Sequence, residues 1–410
     1  MRFLQTGDWH LGKVFYELPL LKDQQHFLNQ ITDELQTAAG KDEPYDALLV
    51  PGDIFDRSVP AAEAVTLFSD FLSETRRNFP QLQLFFLSGN HDSAQRLSFA
   101  APLLAREHIH ICTDCNHITE PVILENTNQA VAVYQLPFLV PGSIKKQERD
   151  AGQQDLFEVP LRKQQDLAAE AVRQILAAHR TRTPALPAVL CAHLFTIGAI
   201  SSDSEQGSLG TLDQVSADVF TPFAYTALGH LHKVQQCGTS GTVWYSGSPL
   251  AYSFDDIPEK FMLSVTLSSA EDKDNACSIR RIPVHPLHKV VRLKGTFEQF
   301  YSGPGLEQYR DCYVAIQCTD DTVIENPMAL LRKNFPYLLS FTRETAAAVQ
   351  SGDITAERRR LLTQSDSVDP GDIFDLFIKD MYGDNRTDEE PVKKEKKIFK
   401  TLADGEMKHV

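Results

Sequence analysis

Five short apolar runs, each followed within a few residues by Asp, Asn or His, constrain this chain more than any other feature. They are Phe3-Leu4, Ala47-Leu48-Leu49-Val50, Leu84-Phe85-Phe86-Leu87, Ala188-Val189-Leu190-Cys191 and Tyr225-Thr226-Ala227-Leu228. Runs this short, separated by helical stretches, read as strands of an α/β protein whose sheets are covered on both faces. Ligands of open α/β sheets bind beyond the carboxyl ends of the strands, so five sequence-distant segments can deliver polar side chains to one crevice.

The segments that follow the runs are Gly7-Asp8-Trp9-His10, Gly52-Asp53-Ile54-Phe55-Asp56, Gly89-Asn90-His91-Asp92, Ala192-His193 and Gly229-His230-Leu231-His232. Any one alone is a turn or a structural histidine; together, each behind an apolar run, they point to one site. Four open on a glycine, expected to permit a tight strand exit. Asp8 and His10 are two apart, as are His230 and His232, and would share a face if their strands continued. Oxygen donors mixed with imidazoles suit Mn²⁺, Fe²⁺ or Zn²⁺, whereas the lack of thiolates argues against a structural zinc or iron-sulfur site. Asp8, His10, Asp53, Asn90, His193, His230 and His232 exceed the needs of one open site. With a shared carboxylate they suffice for two metal ions roughly 3.5–4 Å apart, a centre suited to phosphodiester hydrolysis.

Composition bears on the substrate. The 410 residues carry a net charge of −15, so a broad basic face that grips nucleic acid is excluded, and positive charge must come from metal, a local patch or a partner. Arg57, Arg96 and Lys233 adjoin the motifs and are the candidate phosphate contacts, as is the Ser/Gly-rich loop from Gly198 to Gly210. The seven cysteines are irregularly spaced in a chain too large to need disulfides, so reduced thiols are expected. His108, His110, Cys112, Cys115 and His117 lack a second Cys-x-x-Cys at ribbon spacing and read as a strand and turn, not as a zinc site. Polar residues arrive too early for a signal peptide and no apolar run approaches a membrane span, which predicts a cytoplasmic protein.

Three parts are expected. Residues 1–285 carry the motifs and include an amphipathic helix from Leu161 to His179. Residues 286–345 alternate strand, helix, strand, helix, strand, a small α+β capping domain. Residues 346–410 are charged and helical, and Ile373, Phe374, Phe377, Ile378 and Met381 form an apolar stripe that either packs internally or docks a partner.

In this order, Asp-x-His, Gly-Asp-x-x-Asp, Gly-Asn-His-Asp, His and Gly-His-x-His resemble the calcineurin-like metallophosphoesterase superfamily. The resemblance implies an α/β metallophosphoesterase sandwich of mixed sheets flanked by helices. It implies that Asp8, His10, Asp53 and His232 hold one metal and Asp53, Asn90, His193 and His230 the other, with manganese favoured. His91 would be the catalytic residue, protonating the leaving oxygen, a role suited to histidine. Asp92 or Asp56 would orient it, with Asp56 read foremost as structural.

Gly7 to Gly12, Ala227 to Lys233, and Tyr245-Ser246-Gly247-Ser248-Pro249 are similar to the SbcD-type nuclease family within that superfamily. That likeness implies double-strand 3′–5′ exonuclease and single-strand or hairpin endonuclease activity on DNA in end processing, repair, recombination and replication. It further implies a homodimer within a heterotetramer, whose partner is an SbcC-type coiled-coil ATPase docked by the C-terminal helices. A metallophosphatase or phosphodiesterase acting on another substrate is the alternative, although phosphoprotein phosphatases typically carry Glu where this chain has Asp92. A scaffold without catalysis is a third reading, set against the full complement of ligands.

Overall fold

The computed structural model describes residues 1–145, 161–196, 214–256, 259–268, 277–320, 322 and 324–344. The chain separates into two compact units, Met1–Val291 and Arg292–Val410.

The first unit is built on two six-stranded mixed sheets. One runs, in spatial order, Cys277–Val284, Lys260–Leu267, Arg2–Gln5, Ala47–Val50, Gln83–Leu87 and Ile109–Cys112, the last four parallel. The other runs Gln235–Cys237, Val243–Tyr245, Tyr225–Gly229, Ala188–His193, Ala130–Leu136 and Val122–Glu125, parallel except at its edges.

Strand periodicity explains why the runs are apolar throughout. Phe3, Ala47, Leu49, Phe85 and Leu87 of the first sheet share one core with Val131, Val133, Val189, Cys191, Tyr225 and Ala227 of the second. The alternate residues Leu4, Leu48, Val50, Leu84 and Phe86 instead pack against Phe27, Ile31, Leu35, Leu67, Phe68 and Phe71. Those side chains form the apolar faces of the Leu21–Gly40 and Ala62–Asn78 helices, spaced three and four apart. On the far side of the second sheet, Leu190, Ala192 and Leu228 meet Leu167, Ala171 and Ile175 of the Gln164–Arg182 helix. The layers are therefore helix, sheet, sheet, helix, with each buried aliphatic or aromatic side chain contributing about 1.5–3 kcal/mol.

That third helix ends at Arg182 because Thr183 precedes Pro184, whose ring disfavours helical backbone in the residue before it. The antiparallel strands Lys260–Leu267 and Cys277–Val284, which carry no motif, extend the first sheet.

In the second unit, strands Val290–Gly295, Tyr313–Cys318 and Leu338–Arg343 form one sheet in that order, interleaved with helices Phe297–Ser302 and Pro327–Leu331. Thr296 and Gln299 close a reciprocal capping box at the first of these helices. The apolar stripe from Ile373 to Met381 lies outside the described residues. Among the described residues no helix is long and apolar enough to cross a membrane.

Candidate metal centre

The five motif segments do not come from one sheet. Arg2–Gln5, Ala47–Val50 and Gln83–Leu87 belong to the first sheet, Ala188–His193 and Tyr225–Gly229 to the second, so the site sits at the carboxyl edge of the sandwich. The expectation that Asp8 and His10 alternate along a continued strand fails. The strand stops at Gln5, and Asp8 and His10 take left-handed backbone, φ 53° and 45°. Between them Trp9 is fully buried, with its ring edge-on to Phe27, Phe68, Phe71 and Phe86 at 5.4–6.4 Å. This anchor turns the backbone on both sides of Trp9 into the positive-φ region that Asp and His tolerate better than most residues. A second loop runs alongside: His10 N donates to Asp53 O over 2.9 Å and Leu11 N to Ile54 O over 2.8 Å, and Asp53 is itself at φ 49°.

The motif glycines serve close approach more than turning. Gly52 is at φ 93°, but Gly7, Gly89 and Gly229 have no positive φ. A methyl on Gly89 would overlap Asp53 Oδ1, one on Gly229 would overlap the Pro51 carbonyl, and one on Gly52 would overlap the His193 ring. The ligand-bearing segments pack so tightly that only hydrogen fits between them.

Two groups of ligand-type side chains result: His10, Asp56 and His91, and Asp53, His193 and His230, each with donor atoms within 4.8 Å of one another. Asp53 faces both, its Oδ2 3.7 Å from His10 Nε2 and 3.5 Å from His193 Nε2. His232 joins the first group, with its Nε2 3.2 Å from His10 Nε2. Asn90 joins the second, its Oδ1 2.9 Å from His193 Nε2 and 3.0 Å from His230 Nδ1. Asp8, fully buried, accepts from His230 N over 2.8 Å. All seven sequence-derived ligand residues therefore converge.

Burial pushes the imidazoles of His10, His193 and His232 below their ordinary range, and His230 down to about 3 with the help of neighbouring His193. They are neutral at pH 7. Burial acts on Asp53 in the opposite sense, but His193, His10 and His91 outweigh it and hold the carboxyl below the usual range.

This donor set fits divalent metal. His193 donates from Nδ1 to the Pro51 carbonyl over 2.8 Å, and a neutral ring then has only a lone pair at Nε2. That lone pair faces Asn90 Oδ1 at 2.9 Å and His230 Nδ1 at 3.3 Å. His10 Nδ1 is buried without a hydrogen bond, 3.6 Å from Asp56 Oδ1. Acceptors crowded in this way are stabilised by a cation among them.

A model of the calcineurin-like phosphoesterase family matches residues 1–233, more than half of the chain and all seven of these positions. The chain belongs to the calcineurin-like phosphoesterase family. Over 407 residues this phosphoesterase is 25% identical to the D component of the nuclease SbcCD of Staphylococcus saprophyticus, covering 99% of the chain and 100% of the relative.

The remaining predicted residues of the phosphoesterase divide. His91 is half-buried in the first group; its amide donates to Asp53 Oδ1 and its Nδ1 to the Asp56 backbone carbonyl, both over 3.0 Å. Neither carboxylate proposed to orient it touches it. Asp92 accepts from the amides of Ile54, Phe55 and Gly89 at 2.9–3.1 Å and so holds the Asp53 loop in place. Burial and the Asp53 charge push Asp92 up to about 7. The Asp56 carboxylate pairs with Lys13 Nζ at 2.7 Å and faces His10, which gives it a larger part in the centre than the capping role read from sequence. Arg57 is exposed with its Nε 3.6 Å from Asp56 Oδ2, Arg96 is exposed on the short helix Ala94–Leu97, and Lys233 is half-buried beside His232. The loop from Gly198 to Gly210 lies outside the described residues.

Sequence reasoning missed the residues that support the centre. Gln24 binds the His10 carbonyl and the Gly12 amide from the first helix, at 2.7 and 2.9 Å. Tyr252 donates to the Trp9 carbonyl and lies edge-on to His10 and His232. Lys260 Nζ, almost wholly buried, donates to the His232 carbonyl, Ser248 Oγ and Asp256 Oδ1 at 2.9–3.1 Å. None has a local signal; Ser248, in a Gly-Ser-Pro turn, alone stood within a stretch that bore a resemblance. Away from the centre, Cys112 closes the Ile109–Cys112 strand and burial pushes its thiol up to about 12 and that of Cys115 to about 11, states ill-suited to thiolate ligation.

Proposed function

We propose that this phosphoesterase is a manganese-dependent nuclease that hydrolyses DNA phosphodiesters at a two-metal centre. Asp8, His10, Asp53 and His232 would hold one ion and Asp53, Asn90, His193 and His230 the other. The observation that carries the reading is the Asp53 carboxylate, within 3.7 Å of His10 Nε2 and 3.5 Å of His193 Nε2, which suits a ligand shared by two ions. When bound, such a pair supplies an activated water and charge balance for in-line displacement at phosphorus.

The chain's own residues do the rest. His91, held through its backbone amide by Asp53 and through Nδ1 by the Asp56 carbonyl, keeps Nε2 for the substrate and delivers a proton to the leaving oxygen. Asp92 keeps the Asp53 loop fixed, and the neutral imidazoles keep their lone pairs for ligation. DNA as substrate is supported by the relative named as a nuclease, and that name also supports a partner of the SbcC-type coiled-coil ATPase class, bound through residues 346–410. Exonuclease and hairpin endonuclease activity, a homodimer within a heterotetramer and a cytoplasmic location complete the reading.

The test is digestion of end-labelled duplex and hairpin DNA with Mn²⁺, beside a generic phosphomonoester. Cleavage of DNA with little turnover of the monoester is expected; the reverse preference would replace the nuclease reading with a phosphatase. Asp53→Ala should abolish two-metal stoichiometry, and two ions retained by that variant would refute the shared ligand.

A further inference from the structure

Beside the centre stands a short hairpin that carries no motif. Strands Val14–Phe15 and Leu18–Pro19 pair antiparallel, and Tyr16 and Glu17 form the turn at φ 47° and 69°. Two consecutive positive-φ residues are the pattern of a type I′ turn, where Asn and Gly are preferred and Tyr is strained. Strain of this kind, kept where glycine would relieve it, points to a use for the side chain.

The Tyr16 ring is 53% exposed, yet it is fixed. It lies edge-on to Phe15, 5.1 Å between centroids, and to Phe254 at 5.2 Å; Phe15 is itself 3% exposed and 5.1 Å from Phe254. The hairpin is tied to the centre at its base. Lys13 N donates to the His10 carbonyl, Leu20 N donates to the Lys13 carbonyl, and Lys13 Nζ binds Asp56 and lies 5.2 Å from the centre of the Tyr252 ring. Tyr16 is three residues beyond Lys13, roughly 10 Å of extended chain. Arg57, exposed next to Asp56, supplies positive charge on the same side of the centre.

We propose that Tyr16, backed by Phe15 and Phe254, is a stacking platform for an unpaired base at a DNA end or hairpin loop, positioning the adjoining phosphate at the centre. Stacking on an aromatic ring tolerates any base, and a ring already held in place loses little freedom on binding. This inference rests on the nuclease reading and adds to it the feature of DNA that is recognised. Tyr16 is a positioning residue, since the ring takes no part in the chemistry.

The test uses the full chain with Tyr16→Gly and Tyr16→Phe. Glycine relieves the positive φ, so Tyr16→Gly should be at least as stable as the parent to urea, which separates loss of the ring from loss of fold. The probes are DNA with 2-aminopurine at an unpaired terminal position and the same DNA with an abasic nucleotide there. The parent and Tyr16→Phe should quench the 2-aminopurine fluorescence on binding before Mn²⁺ is added, and should show a KM about tenfold lower for the base-bearing end than for the abasic one. Tyr16→Gly should lose both the quenching and the discrimination at unchanged kcat. If Tyr16→Gly matches the parent on both DNAs while cleavage persists, the platform is refuted and the nuclease stands. If the parent neither binds nor cleaves DNA, both fall together.

Discussion

His193 donates from Nδ1 to the carbonyl oxygen of Pro51, 2.8 Å away, across the boundary between the two sheets. The bond selects the tautomer whose Nε2 faces the Asp53 side of the centre, so a backbone atom of one sheet sets the ligand chemistry of the other. Gly229 makes the contact possible, because a methyl there would strike the same carbonyl. Gly229→Ala is expected to leave the secondary structure intact and to weaken metal binding about 10–100-fold, the usual effect of disturbing a hydrogen bond behind a ligand. Metal titration followed by calorimetry measures this, and parental affinity would refute the dependence.

His91→Ala should lower DNA cleavage by about 10²–10⁴-fold, the range of a lost general acid. Metal content, read by elemental analysis, should stay at the parental level, because His91 reaches Asp53 through its backbone amide, which alanine retains. A drop in metal stoichiometry would make His91 a ligand instead.

Lys260→Met removes a buried ammonium that serves the His232 carbonyl, Ser248 and Asp256 together. Asp256, with its side chain 1% exposed, would be left a buried carboxylate without its cation. Destabilisation of about 3–5 kcal/mol is expected. In urea unfolding, Lys260→Met with Asp256→Asn should recover much of that loss, and strict additivity of the two changes would show that the pair is not coupled.

His110 offers a pH test away from the centre. Burial and neighbouring His108 push its imidazole down to about 4 while the ring stacks on Phe85, 4.9 Å between centroids. An unfolded histidine titrates near 6.5, so between about 6.5 and 4 the unfolded chain takes up a proton that the folded chain refuses. The stabilisation is complete above that window and is lost as pH falls through it. Relative to His110→Gln, the parental urea midpoint should fall from pH 7 to pH 4.5; a constant difference would mean that His110 does not titrate on unfolding.

Much of this protein was legible in one dimension. The apolar runs marked strands, because a strand buried on both faces has no polar position, and the Asp, Asn and His residues behind them marked the ligands, because metal needs those donors whatever the fold. The order of elements in the small unit was readable for the same local reasons. What lay beyond reach is set by distance in the chain. Nothing near Asp8 or His10 says that Trp9, wedged among four phenylalanine rings, would force left-handed backbone and end the strand early.

The glycines were visible as glycines, but the reason for them, Pro51 against Gly229 and Asp53 against Gly89, exists only once two sheets are stacked. Lys260 behind His232, the split roles of Asp56 and Asp92, and the Tyr16 ring on Phe254 belong to the same class. Sequence alone determined which atoms were available to hold metal, since donor chemistry is a property of side chains. Tertiary structure decided which of them face one another, in which tautomer and how far from water, since those follow from packing between segments that the chain keeps apart.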